Sequence, residues 1–123
     1  MRIVKTAFLV TGMFLLGTAS ASPWDNNETE IVLPSGGVKE ECFLVESPVV
    51  LKYKFSASDG LLFNIHYHHH HTGMEYPVPI STKSGVDESE IKLTVPSAHC
   101  LMWENSTGEK DISVNYSFII EKL

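Results

Sequence analysis

The stretch Val49-Val50-Leu51-Lys52-Tyr53-Lys54-Phe55 alternates apolar and polar side chains with a period of two. Successive side chains of an extended strand point to opposite faces, so Val49, Leu51, Tyr53 and Phe55 share one face and Val50, Lys52 and Lys54 the other. The same period returns near the C-terminus, where Ile112, Val114, Tyr116, Phe118 and Ile120 alternate with Ser113, Asn115 and Ser117. Around these runs lie turn signals at Pro34-Ser35-Gly36-Gly37, Ser47-Pro48, Ser58-Asp59-Gly60, Thr72-Gly73, Ser84-Gly85, Pro96-Ser97 and Thr107-Gly108. Short apolar runs spaced by such turns are the pattern of antiparallel all-β chains, and no stretch carries a 3.6-residue amphipathic period. The expected fold is all-β, an antiparallel β-sandwich of seven or eight strands with one disulfide.

The N-terminus has its own logic. Arg2 and Lys5 precede an apolar run from Ala7 to Leu16, and Ala19-Ser20-Ala21 follows, the three regions of a signal peptide. The apolar run is shorter than the about 20 residues needed to span a bilayer, and Pro23 and Asp25 make a poor stop-transfer flank, so cleavage is expected after Ala21 rather than retention as an anchor. Residues 22–30 are polar and acidic apart from Trp24 and read as a flexible mature N-terminus. The folded domain is expected over 31–123.

Loss of the leader removes Arg2 and Lys5 from the nine basic residues and leaves seven Lys against fifteen acidic groups, a net charge of −8. A chain with this charge and no Arg repels phosphate, which excludes nucleic acid and anionic membrane surfaces as expected partners. The expected location is the periplasm or the extracellular space, with no transmembrane anchor after cleavage. In an exported chain the two cysteines, Cys42 and Cys100, read as a disulfide; a loop of this length contributes on the order of 4 kcal/mol on the chain-entropy model.

Glu41-Cys42-Phe43, Cys100-Leu101-Met102-Trp103-Glu104-Asn105 and the stretches around Leu51–Phe55, Leu62–Ile65 and Val114–Phe118 together resemble the GOLD domain, the luminal part of the emp24/gp25L cargo-receptor family. The resemblance runs roughly from Ile31 to Ile120. At the second cysteine, Leu-Met-Trp stands where that family has Phe. The coiled coil, transmembrane helix and coat-binding tail of those receptors have no counterpart before Leu123, so coat binding and vesicle sorting do not carry over. The resemblance implies a β-rich fold with a disulfide and a non-enzymatic interaction module whose protein or ligand partner is unknown. No nucleophile–base motif opposes that reading.

Five of the six histidines lie in Asn64-Ile65-His66-Tyr67-His68-His69-His70-His71-Thr72-Gly73-Met74-Glu75. In a strand that keeps register from Leu61, the residues Leu61, Phe63, Ile65 and Tyr67 face the core, while Asn64, His66 and His68 share the opposite face. Neutral imidazole ligates zinc, copper and nickel, and Glu75 adds a carboxylate past the turn, with Met74 a soft donor for copper(I). His66, His68, His69, His70, His71 and Glu75 are therefore the candidate ligands for copper or zinc. The competing reading is a polar patch on a solvated strand followed by a mobile loop, since any histidine tract binds metal in a tube.

His99 precedes Cys100, and no His follows that cysteine, so the ligand order of a blue-copper site is absent and His99 reads as structural or exposed. Three N-x-[ST] sequons begin at Asn27, Asn105 and Asn115, and Asn105 is expected to close the turn before the last strand.

Overall fold

The computed structural model describes residues 28–69, 71 and 73–123; the expected signal peptide and residues 22–27 lie outside them. Six strands are present among the described residues: β1 (Thr29–Leu33), β2 (Val38–Val45), β3 (Val49–His69), β4 (Gly73–Leu93), β5 (Ser97–Glu104) and β6 (Ile112–Lys122). All pairings are antiparallel, and the described residues contain no helix long and apolar enough to cross a membrane. β1 takes in Thr29 and Glu30, the end of the stretch expected to be flexible, because they pair with Tyr116 and Asn115 of β6.

The all-β antiparallel class is as expected, but the seven or eight strands of a sandwich are corrected to six strands in one sheet curled into a half-barrel. The reason lies in two of the seven turn signals. Ser58-Asp59-Gly60 and Ser84-Gly85 do not reverse the chain; they oppose one another as an irregularity within the continuous β3–β4 hairpin, where Ala57 pairs Gly85 and Leu61 pairs Lys83. Three residues of β3 thus face one residue of β4, which bends the strand instead of ending it. Gly85 has a φ of 72°, a conformation that glycine adopts without a Cβ clash.

This bend organises the sheet. β4 follows β3 along its whole length on one edge, whereas the other edge of β3 is handed from β6, paired over Val49–Ala57, to β5, paired over Leu62–Tyr67. At the handover Ser58 Oγ accepts the Ser113 N–H at 2.9 Å, and Asp59 ion-pairs with Lys110 of the β5–β6 loop, which lowers the Asp59 pKa.

Because β3 bends, its two halves turn one inner face onto the other. Phe55 and Phe63 lie on either side of the bend with ring centres 4.7 Å apart, and both touch Trp103 of β5, which packs 4.4 Å from Tyr116 of β6. Leu51, Leu61, Ile65, Leu101, Ile112 and Val114 complete a core drawn from both halves. Burial of such side chains contributes roughly 1.5–3 kcal/mol each and is the main source of stability. Burial also drives the Tyr116 hydroxyl up to about 12.

Two links close the ends of this arrangement. Cys42 and Cys100 are direct cross-strand partners on β2 and β5 and are disulfide-bonded. Asn105, fully buried after β5, donates through Nδ2 to Leu33 O at 2.9 Å and Lys110 O at 2.7 Å. Its Oδ1 accepts from Thr107 N and Thr107 Oγ1, and its backbone pairs with Gly36 and Gly37 of the β1–β2 turn. It closes the turn as expected, and with both Nδ2 protons engaged in the interior it is not placed to carry a glycan.

Candidate metal centre

Pro77 and Pro79 lack the N–H that a strand interior donates, and the β3–β4 register slips at each of them. Phe63 pairs Ser81, Ile65 pairs Val78 and Tyr67 pairs Glu75, so the two β3 residues opposite the slips are Asn64 and His66. Both belong to the outward face, as the alternation predicts. The expectation that this face is solvated fails for His66, which is fully buried, and for Asn64, which is 4% exposed.

The order β3-β5-β2 sets what surrounds His66. Its cross-strand partner on β5 is Cys100, whose partner on β2 is Cys42, and Glu40 lies two residues before Cys42 on the same face. On the β4 side the Tyr76 ring lies 6.0 Å away, and the His68 ring meets it edge-on at 5.5 Å.

The polar contacts of His66 define its state. Asn64 Oδ1, which only accepts, lies 2.7 Å from Nδ1, so Nδ1 carries the proton and donates it. That tautomer leaves a lone pair on Nε2. Glu40 Oε2 stands 3.1 Å from Nε2, close enough for electrostatic pairing, yet Nε2 has no aligned hydrogen-bond partner. Burial is the largest influence on this imidazole and lowers its pKa; Glu40 opposes the shift and His68 adds to it. A neutral His66 therefore points a lone pair at a carboxylate, and a cation between the two satisfies both. The Asn64 hydrogen bond is the kind of second contact that orients a ligating imidazole.

The outcome for the other candidates is mixed. His68 is exposed and adjoins His66. His69 and His71 are exposed at the strand end with ring centres 6.3 Å apart, and His71 N donates to His69 Nδ1 at 3.4 Å; His70 lies outside the described residues. Glu75 pairs with inward-facing Tyr67 and so belongs to the face opposite His66, while Met74 pairs with His68 and its sulfur accepts the Tyr76 hydroxyl at 3.3 Å.

Among the described residues, a Glu40 oxygen and Cys100 Sγ converge with a His66 ring nitrogen, all within 4.8 Å of one another, and the sequence alone places neither beside His66. Period-two alternation puts Glu40 and Cys42 on one face of β2; what it lacks is the strand order that carries that face past β5 to His66.

His99 is buried on the inward face, its ring 4.8 Å from that of Tyr67 and 6.2 Å from that of Phe43, with Nδ1 donating to Ser97 O at 3.1 Å. Of the two readings, structural or exposed, the exposed one is corrected by this burial.

No protein-family model matches the chain, and no curated protein matches it.

Proposed function

We propose that this chain is an exported, non-enzymatic binding protein that holds a transition-metal cation, zinc or copper, between His66 and Glu40. One observation carries the reading: the buried Nε2 of His66, held by Asn64 in the tautomer that exposes its lone pair, faces the Glu40 carboxylate at 3.1 Å. His68 is the third donor, reached by rotation of an exposed ring already against His66. Imidazole with carboxylate is a donor set for zinc, and copper(II) competes through the same nitrogens. The disulfide fits an oxidising compartment, in keeping with export.

Calorimetric titration with zinc and with copper tests the reading on two variants whose folding is verified first. The exposed side chains of His69 and His71 carry an ordering cost on binding, so His66→Ala/His68→Ala loses most of the affinity and His69→Ala/His70→Ala/His71→Ala changes it only a few-fold. A larger loss in the triple variant identifies a flexible histidine tract and removes the preorganised site.

A second reading, a GOLD-like interaction module, is favoured by the bond between Cys42 and Cys100, the two cysteines that carry the resemblance, and by Asn105 at the following turn. Its surface is β4, an edge strand with exposed Met74, Tyr76, Ile80 and Val86. A photo-crosslinker at Ile80 or Val86 that captures one protein in the native compartment, while the same probe at Val32 does not, supports it. Equal capture at all three positions counts against it.

A further inference from the structure

The donor cluster contains a group that the oxidised protein cannot use as a ligand. Cys100 Sγ lies within 4.8 Å of a His66 ring nitrogen and of a Glu40 oxygen, but it is bonded to Cys42, and a disulfide sulfur lacks the charge of the thiolate that zinc takes. The register places all four residues on the outward face of three adjacent strands: Glu40 and Cys42 on β2, Cys100 on β5, His66 on β3. Cys100 is 4% exposed, whereas Cys42 is exposed and open to attack by an external thiol.

We infer that opening the Cys42–Cys100 disulfide converts this cluster into a four-donor zinc site built from Cys42, Cys100, His66 and Glu40. The inference rests on the metal reading of His66 and Glu40 and adds its redox control. Donors of a tetrahedral zinc stand about 3.5 Å apart, given metal–ligand distances of about 2.0–2.3 Å, so the Glu40, His66 and Cys100 donors, within 4.8 Å of one another, close by side-chain rotation.

The chemistry balances with a dithiol as the reductant. One of its thiolates attacks Cys42 Sγ and breaks the S–S bond, and Cys100 leaves as a thiolate. The second thiol then displaces Cys42 and departs as a cyclic disulfide. Two electrons pass to the protein, leaving two thiols. Zinc displaces their two protons to solvent as the Zn–S bonds form. The Asn64 hydrogen bond keeps the His66 lone pair available in both states. The oxidised protein thus offers His66 and Glu40 with exposed His68, and the reduced protein adds two thiolates.

Cobalt(II) titration reads both states, because thiolate ligation gives a charge-transfer band that imidazole and carboxylate do not. Oxidised protein and protein reduced anaerobically with a phosphine are titrated with cobalt, then with zinc. The expected result is one equivalent bound to the reduced chain, at least tenfold tighter than to the oxidised chain, with the thiolate band appearing only on reduction and vanishing as zinc displaces cobalt. Glu40→Gln, a substitution at an exposed side chain that spares the core, and His66→Ala each weaken reduced-state binding tenfold or more. Binding by the oxidised protein with no gain in affinity and no band on reduction overturns the inference while leaving the His66–Glu40 reading intact. A thiolate band in a reduced chain that has lost the buried Trp103 fluorescence, or one insensitive to both substitutions, also overturns it. If only the reduced chain binds, with sensitivity to both substitutions, the inference holds and the oxidised-state reading fails.

Discussion

His66 Nε2 and Glu40 Oε2 meet at 3.1 Å across the intervening strand β5, one a buried lone pair and the other a carboxylate 44% exposed. With the proton on Nδ1 the two are facing acceptors in the metal-free protein, and that opposition is what a cation relieves.

Replacing the carboxylate with an amide separates those effects. Gln at position 40 presents an N–H to the His66 lone pair, so Glu40→Gln is expected to raise metal-free stability by up to about 1 kcal/mol, discounted for the exposure of the side chain. It is also expected to weaken zinc binding. The urea midpoint and a zinc titration of the same variant check the pair of effects, and a variant less stable than wild type speaks against facing acceptors.

Acid should destabilise the metal-free fold. Burial lowers the pKa of both His66 and His99 below the ordinary value of 6.5; Glu40 opposes the shift at His66, and the Ser97 carbonyl opposes it at His99. The unfolded chain therefore binds more protons than the folded one once pH falls below about 6.5, and stability present above that value is lost as pH drops toward the folded pKa values. Denaturation midpoints measured from pH 8 to pH 5 should fall below pH 6.5, with the decline reduced in His99→Phe. A profile flat over that range contradicts the burial of both rings.

Asn105 should be intolerant of its closest isostere. Asn105→Ala strands the carbonyls of Leu33 and Lys110 and the N–H of Thr107, at a cost on the order of 2–3 kcal/mol. Asn105→Asp sets a carboxylate oxygen against those two carbonyls and is expected to cost more than Ala. Thermal midpoints of the two variants decide the order, and an Asp variant as stable as wild type rules out the two donated bonds.

Much of the fold was legible because strand period and turn chemistry are local. The alternation in Val49–Phe55 and Ile112–Ile120 marked β6 and the first half of β3, and five of the seven turn signals fall at the joins between strands. Ser58-Asp59-Gly60 and Ser84-Gly85 misled because such residues serve a bulge as readily as a turn. The choice is made by partners distant in sequence, β6 before the bend and β5 after it. The site divides in the same way. His66 and His68 were placed on one face by alternation alone. Glu40 required the order β3-β5-β2, and the burial of His66 required the register slips at Pro77 and Pro79, whose Pro-Val-Pro spacing was the available signal.

His66 keeping its proton on Nδ1 and offering Nε2 to a cation can be read from long-range ¹H–¹⁵N correlation spectra of the imidazoles. In metal-free protein above pH 7 the His66 ring should show the Nδ1–H tautomer with an unprotonated Nε2, and one equivalent of zinc should shift the Nε2 resonance while Nδ1 keeps its proton. A His66 ring with its proton on Nε2, hydrogen-bonded to Glu40 and unmoved by zinc, would contradict the account and make the pair an ordinary buried contact.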